Sequence, residues 1–143
     1  MTYILFGVAG TSYAVPSHQV QHMEMVEQVT PVPNAPPCVE GVVFSRGQVV
    51  PVINLPARFG FDRTTVNQRT RLLVVQHGSR NVGLLADVAR EFIAIPDASI
   101  QPPNDAIGNL SGSYLDGVAT LGDRIVLILN IPEVVKVAPI AAA

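Results

Sequence analysis

The 143-residue sequence contains no tryptophan, one cysteine and one lysine, and only 14% of it is charged, against about 25% in an ordinary soluble domain. The single Cys38 cannot close an intrachain disulfide, which favours a reducing compartment. Nine basic residues stand against eleven acidic ones with no basic run, so the electrostatic footprint of a nucleic-acid binder is missing. No stretch approaches the roughly 18 apolar residues of a spanning helix; the tail from Arg124 is cut by Asn130, Pro132, Glu133 and Lys136. The start, MTYILFGVAG, lacks the positive n-region of a signal peptide. These deficits predict a cytoplasmic protein with no direct membrane insertion. What the chain has in quantity is apolar side chains, 48% of all residues, which excludes disorder as the main state. Its length suits one domain, and so large a surplus of apolar over charged residues predicts apolar surface left open for a partner.

Twelve prolines and eleven glycines argue against a helical bundle. The apolar residues come instead in short β-branched runs, which predict strands near 2–8, 12–16, 19–26, 39–45, 48–54, 70–76, 81–88, 91–95, 115–120 and 124–130. Gly10-Thr11, Gly78-Ser79 and Gly122-Asp123 read as hairpin turns. Short helical turns are expected at Pro56–Phe59 and Pro132–Val137, with proline at a first helical position, and the stretch from Ile95 to Gly112 reads as a long irregular connection. The fold class is all-β, a barrel or sandwich.

An internal repeat narrows this. VEGVVFSRGQVVPVINLP (Val39 to Pro56) aligns without a gap on LDGVATLGDRIVLILNIP (Leu115 to Pro132), 76 residues later. Gly41/Gly117, Val42/Val118, Val50/Val126, Asn54/Asn130 and Pro56/Pro132 are identical, and Glu40/Asp116 keep their class. The segments around Val20 and Val88 correspond more loosely. Alternation alone would not also match asparagine and proline in register, so the repeat predicts two similar β-barrels in tandem.

Catalytic templates fail in turn. His18 and His22 could begin a metal site, but no third ligand stands at a recognisable spacing. Cys38 follows Pro36-Pro37 without a nucleophile signature, no phosphate-cradling or nucleophile-elbow motif occurs, and the carboxylates are scattered. No metal and no cofactor is expected, and no enzyme activity. Arg46, one residue before the turn glycine Gly47, stands out because the repeat carries Gly122 there, so the hairpin itself does not require an arginine.

TPVPNAPPCVEGVVFSRGQVVPVINL (Thr30 to Leu55), NVGLLADVAREFIAI (Asn81 to Ile95) and YLDGVATLGDRIVLILNIPEVV (Tyr114 to Val135) occur in the order of the signature blocks of the CheW family of bacterial chemotaxis coupling proteins, which this chain resembles from about residue 3 to 136. The resemblance implies a CheW-like fold of two tandem five-stranded SH3-like barrels with short helical turns. It makes residues 1–143 a single domain of two intertwined barrel subdomains, with a boundary near 65 and the C-terminal segment packing back on the first. It implies a non-catalytic adaptor, cytoplasmic and recruited to receptor arrays. The implied partners are the regulatory domain of a CheA-type histidine kinase and the cytoplasmic tips of chemoreceptors (methyl-accepting chemotaxis proteins). Val20, Met23, Leu85, Asp87 and Val88 are the implied receptor-binding residues. His22, Glu24, Val39, Gly41 and Arg46 are the implied coupling interface. The family reads N-L-R-G where this chain has Phe44-Ser45-Arg46-Gly47, and it often has a glutamate at His22 that pairs with the arginine; Glu24 is expected to serve instead. Two alternatives stay open: a small-molecule or peptide-binding β-barrel module, and an adaptor of a related chemosensory system such as twitching motility.

Overall fold

The computed structural model describes residues 1–26, 28–63, 65–103 and 114–136, apart from the side chain of Arg90. Four two-residue turns fold the apolar runs into antiparallel hairpins: β1 (Thr2–Val8) with β2 (Thr11–Pro16), β4 (Val39–Ser45) with β5 (Gln48–Asn54), β6 (Arg71–His77) with β7 (Arg80–Ala86), and β10 (Leu115–Leu121) with β11 (Arg124–Leu129). The first turn is Ala9-Gly10, one residue earlier than expected, because the positive φ values fall on that pair. β3 (Val20–Met25) and β8 (Val88–Ala94) complete the long strands, and β9 (Ile100–Gln101) is a two-residue strand inside the stretch expected to be irregular. Helical turns α1 (Leu55–Arg58) and α2 (Ile131–Val134) follow β5 and β11. Val137, the expected end of the second turn, lies outside the described residues, as does the end of the connection to Gly112.

The strands form a five-stranded sheet ordered β3-β6-β7-β5-β4 and a six-stranded sheet ordered β8-β1-β2-β11-β10-β9. We call them the central barrel, drawn from residues 20–86, and the terminal barrel, which holds strands from both ends of the chain. β5 and β6, on either side of residue 65, belong to the same sheet. The first hairpin of each repeat lies in the sheet of the other: β1 and β2 join β8 to β11, and β6 and β7 join β3 to β5, so β3 pairs with β6 and β8 pairs with β1. The C-terminal β11 runs parallel to β2, as β5 runs parallel to β7. Strand exchange gives both barrels residues from both repeats, because a β-strand pairs with whichever edge lies beside it, however distant in sequence.

This arrangement makes three cores. Leu72, Val74, Leu85, Val43, Val50 and Val52 fill the central barrel; Tyr3, Leu5, Ala14, Ala119, Val126 and Ile128 fill the terminal one. A third cluster, including Phe6, Val8, Val39, Leu73, Val75, Leu84 and Leu129, is sandwiched between them. β1 and β7 are buried on both faces, which is why they read as near-continuous apolar runs.

The repeated motif has a local cause. Asn54 caps α1 by accepting from Ala57 N–H, and Asn130 caps α2 by accepting from Glu133 N–H. Asn54 Nδ2 also donates to Glu40 Oε1 at 3.1 Å, and the Asn130 side chain hydrogen-bonds Asp116, the matching acid. Gly41 (φ +145°) lets the Thr30 carbonyl cross β4 so closely that an added Cβ would sit 2.1 Å from it. The crossing is fixed by two 2.8 Å bonds between Thr30 and Val42. At Gly117 the matching neighbour is β9, whose Gln101 pairs with Val118.

Candidate interaction surface

The site begins with a bulge. β3 lies antiparallel to β6, but the register slips between Val20 (opposite Val75) and His22 (opposite Val74). Residues directly opposite share a face, so Val20 and Met23 fall on the side of Val75 and Leu73, toward the core between the barrels. His22 and Glu24 fall on the side of Val74 and Leu72, toward the mouth of the central barrel. β8 carries the same slip against β1, pairing Val20 with Ala89, His22 with Glu91, Met23 with Phe92 and Glu24 with Ile93 at an offset of 69 residues.

At the mouth, three polar side chains meet. His22 Nε2 lies 3.1 Å from Ser45 Oγ and 3.1 Å from Glu24 Oε2, while Ser45 Oγ–H donates to Glu24 Oε2 at 3.2 Å. Ser45 has one proton and gives it to Glu24, so His22 Nε2 carries a hydrogen and donates. His22 and Ser45 are largely buried there. The cluster cannot work as a nucleophilic triad, because the acid and the hydroxyl meet the same ring nitrogen.

Arg46 and Gly47 form the tip that follows Ser45, both with positive φ (+48° and +82°), as a type I′ hairpin turn requires. The matching turn is Gly122-Asp123, with φ +65° at Gly122. Arg46 therefore occupies a left-handed position where glycine would be unstrained, at a cost of about 1–2 kcal/mol. Arg46 is exposed and makes no ion pair with Glu24. The expected Glu24–Arg46 bond is thus corrected: His22 and Ser45 already hold the Glu24 carboxylate. Glu24, Phe44, Ser45 and Arg46 instead line a concavity of about 520 Å³, floored by Leu72. At its rim, Phe44 is 75% exposed, and Val49, directly across the hairpin, is 67% exposed.

Three expected contact residues are withdrawn from the surface. Leu85 is fully buried inside the central barrel, because β7 has a core on each face. Val39 is buried in the core between the barrels. Gly41 is buried beneath Thr30 and acts by making room for it. Val20 is half-buried and Met23 exposed. Asp87 Oδ2 accepts from Ala9 N–H at 2.8 Å and its own N–H donates to Gly7 O, which ties the crossover into β8 to the first hairpin tip. Asp87 and Val88 line a second concavity with Thr65, Asn67 and Arg69.

Sequence reasoning missed Arg58. Its guanidinium donates to the carbonyls of Val134 (2.9 Å), Glu133 (3.2 Å) and Lys136 (3.1 Å) and to Tyr114 Oη (2.6 Å), and lies over the Tyr114 ring. It closes the C-terminal end of α2 from α1, joining the barrels beside the ring series Phe6, Tyr13, Phe59 and Tyr114. The repeat alignment ended two residues short of it, at Pro56.

Among the described residues no three His, Cys, Asp or Glu side chains come together to hold a metal ion, and no helix is long and apolar enough to cross a membrane.

Comparison with known proteins covers nearly the whole chain. Residues 2–138 match the model of the family described as CheW-like domain. The chemotaxis protein CheW of Helicobacter pylori is 32% identical over 138 residues, which cover 95% of this chain and 82% of that protein. Protein FrzA of Myxococcus xanthus is 30% identical over 138 residues, covering 95% and 86%. The crystal structure of the scaffolding protein TtCheW from Thermoanaerobacter tengcongensis superposes with a TM-score of 0.87 at 26% identity, covering 96% of this chain and 93% of that one.

Proposed function

The chain belongs to the CheW-like domain family, and on that premise we propose that it is a non-catalytic adaptor linking chemoreceptors to a CheA-type histidine kinase in cytoplasmic signalling arrays. The observation that carries this reading is the match from residue 2 to 138, across both barrels and all the signature blocks, to proteins named for chemotaxis and scaffolding. Physical features support it. The chain is poor in charge, and exposed apolar side chains such as Phe44 and Val49, paired across one hairpin, suit a modest, reversible interface. Val20, Met23, Asp87 and Val88 are the residues we assign to the receptor side, and Arg46 with its neighbours His22 and Glu24 to coupling. The FrzA similarity supports service in a related chemosensory system as a second reading of the same adaptor role.

The test is reconstitution. Purified protein should retain a CheA-type kinase regulatory domain in a pull-down and raise kinase activity in the presence of receptor tips. A ligand-binding module would retain no kinase, and that result would overturn the proposal.

A further inference from the structure

We propose that His22, Glu24 and Ser45 form a proton-operated latch that sets how much of the Arg46 charge is offered to a partner. The inference rests on the adaptor reading for its biological readout but not for its physical one. Among the described residues, two charges belong to the mouth of the central barrel when His22 is neutral: the Glu24 carboxylate and the Arg46 guanidinium, which line one concavity without forming an ion pair. In that state the carboxylate offsets part of the Arg46 charge across the concavity. Proton uptake by His22 places an imidazolium 3.1 Å from Glu24 Oε2. The carboxylate is then neutralised locally, and the tip carries a net positive charge one residue from Ser45, which both groups grip.

Among the described residues, the surroundings contain little else that titrates. β6 offers Val74 and Leu72 opposite His22 and Glu24, with Arg71 only at its start opposite Met25. The neighbouring concavity on the other side of Arg46 is lined by uncharged Gln21, Gln48, Val50 and Asn81 besides His22 and Ser45. Histidine is the side chain whose ordinary charge change falls between pH 5 and 8, the range the test below spans. In the matching place of the terminal barrel, Ile93 and Leu121 pack into the core and Glu91 pairs with Arg124 instead, so the fold does not require the polar trio. A partner that places a carboxylate against Arg46 should therefore bind more tightly as the pH falls.

Two measurements decide it. In NMR titration of the isolated protein from pH 8 to 5.5, the amide signals of Arg46 and Gly47 should follow the His22 ring curve, and stay flat in His22→Gln, whose amide still donates to the same oxygens. Tip signals that are flat in the wild type, or that move unchanged in His22→Gln, would overturn the latch whatever the partner. Affinity for the kinase regulatory domain should rise about twofold to fivefold between pH 8 and 6, the range an exposed charge pair supplies, and the slope should vanish in His22→Gln. No binding at any pH would overturn the adaptor reading. Binding with a slope that persists in His22→Gln would overturn the latch alone.

Discussion

The terminal barrel closes its mouth with Ile93 and Leu121, both packed into its core, under an ion pair of Glu91 and Arg124. The central barrel places Glu24, Ser45 and His22 at the matching positions and leaves a concavity beside them. Both barrels share the same bulge, the same crossing glycine and the same asparagine-capped turn, so these differences are not demanded by the scaffold. Duplicated structure supplies its own control: features kept in both copies hold the fold, and features present in one copy are free to act. By this comparison Gly41, Asn54 and Glu40 are structural, whereas Arg46, His22 and Phe44 belong to one copy only, which supports their place in the proposed interface.

The comparison can be broken at its most rigid point first. Gly41→Ala would drive a Cβ into the Thr30 carbonyl at a φ of +145°, so it should cost about 3–5 kcal/mol or prevent folding. Gly117→Ala meets the Cγ2 methyl of Ile100, at 2.7 Å and with no positive φ, and should cost about 1–3 kcal/mol in denaturant melts. Equal losses would show that the crossings are not built differently.

Arg58→Met keeps the stem of the side chain and deletes its bonds to the end of α2 and to Tyr114. A loss of about 2 kcal/mol in thermal or urea unfolding is expected, since charge-assisted bonds to partly buried carbonyls are lost. Asn54→Ala and Asn130→Ala each remove a helix cap and should each cost about 1–2 kcal/mol, by similar amounts if the repeat is structural in both barrels. A large loss in one only would sharpen the comparison by showing that its carboxylate partner matters more.

Arg46→Gly installs the residue that the terminal barrel uses at the same turn. Its stability should stay level or rise by up to about 1 kcal/mol, because the left-handed strain is relieved. Kinase coupling should fall in the same variant, which separates function from folding at one position. The smallest effect is at Asp116. Burial pushes its carboxyl up from the usual range, against the opposing hydrogen bond from Asn130. A carboxyl raised in the folded state binds its proton more tightly there, so its stabilisation is present at low pH and fades as the pH rises through the raised value. Asp116→Asn should flatten that fall in melts between about pH 3 and 6.

The local half of this structure was readable in the residues. The hairpins at Arg46-Gly47 and Gly122-Asp123 follow from neighbouring turn chemistry, and the match of Asn54 with Asn130 pointed to duplication, with the structure adding that both cap a helical turn. β9 went unread because two residues carry no periodicity. Leu85 and Val39 were expected at an interface from the family resemblance; Leu85 is buried because β7 has a core on each face, and Val39 because it packs into the core between the barrels. The Glu24–Arg46 pair failed because face alternation placed His22 and Glu24 together correctly, but could not say that Ser45 would reach the carboxylate first.

The sequence by itself determined the strands, the turns, the duplication and the family, since each depends on residues close in the chain or on the order of motifs. Only tertiary structure decided that the first hairpin of each repeat joins the barrel of the other, that three cores exist, and that His22, Glu24 and Ser45 meet. The reason is physical: hydrogen-bonding strand edges are chemically alike, so which edges pair is settled by the shared burial of Phe6, Leu73, Leu84 and Leu129 between the barrels, not by any local signal.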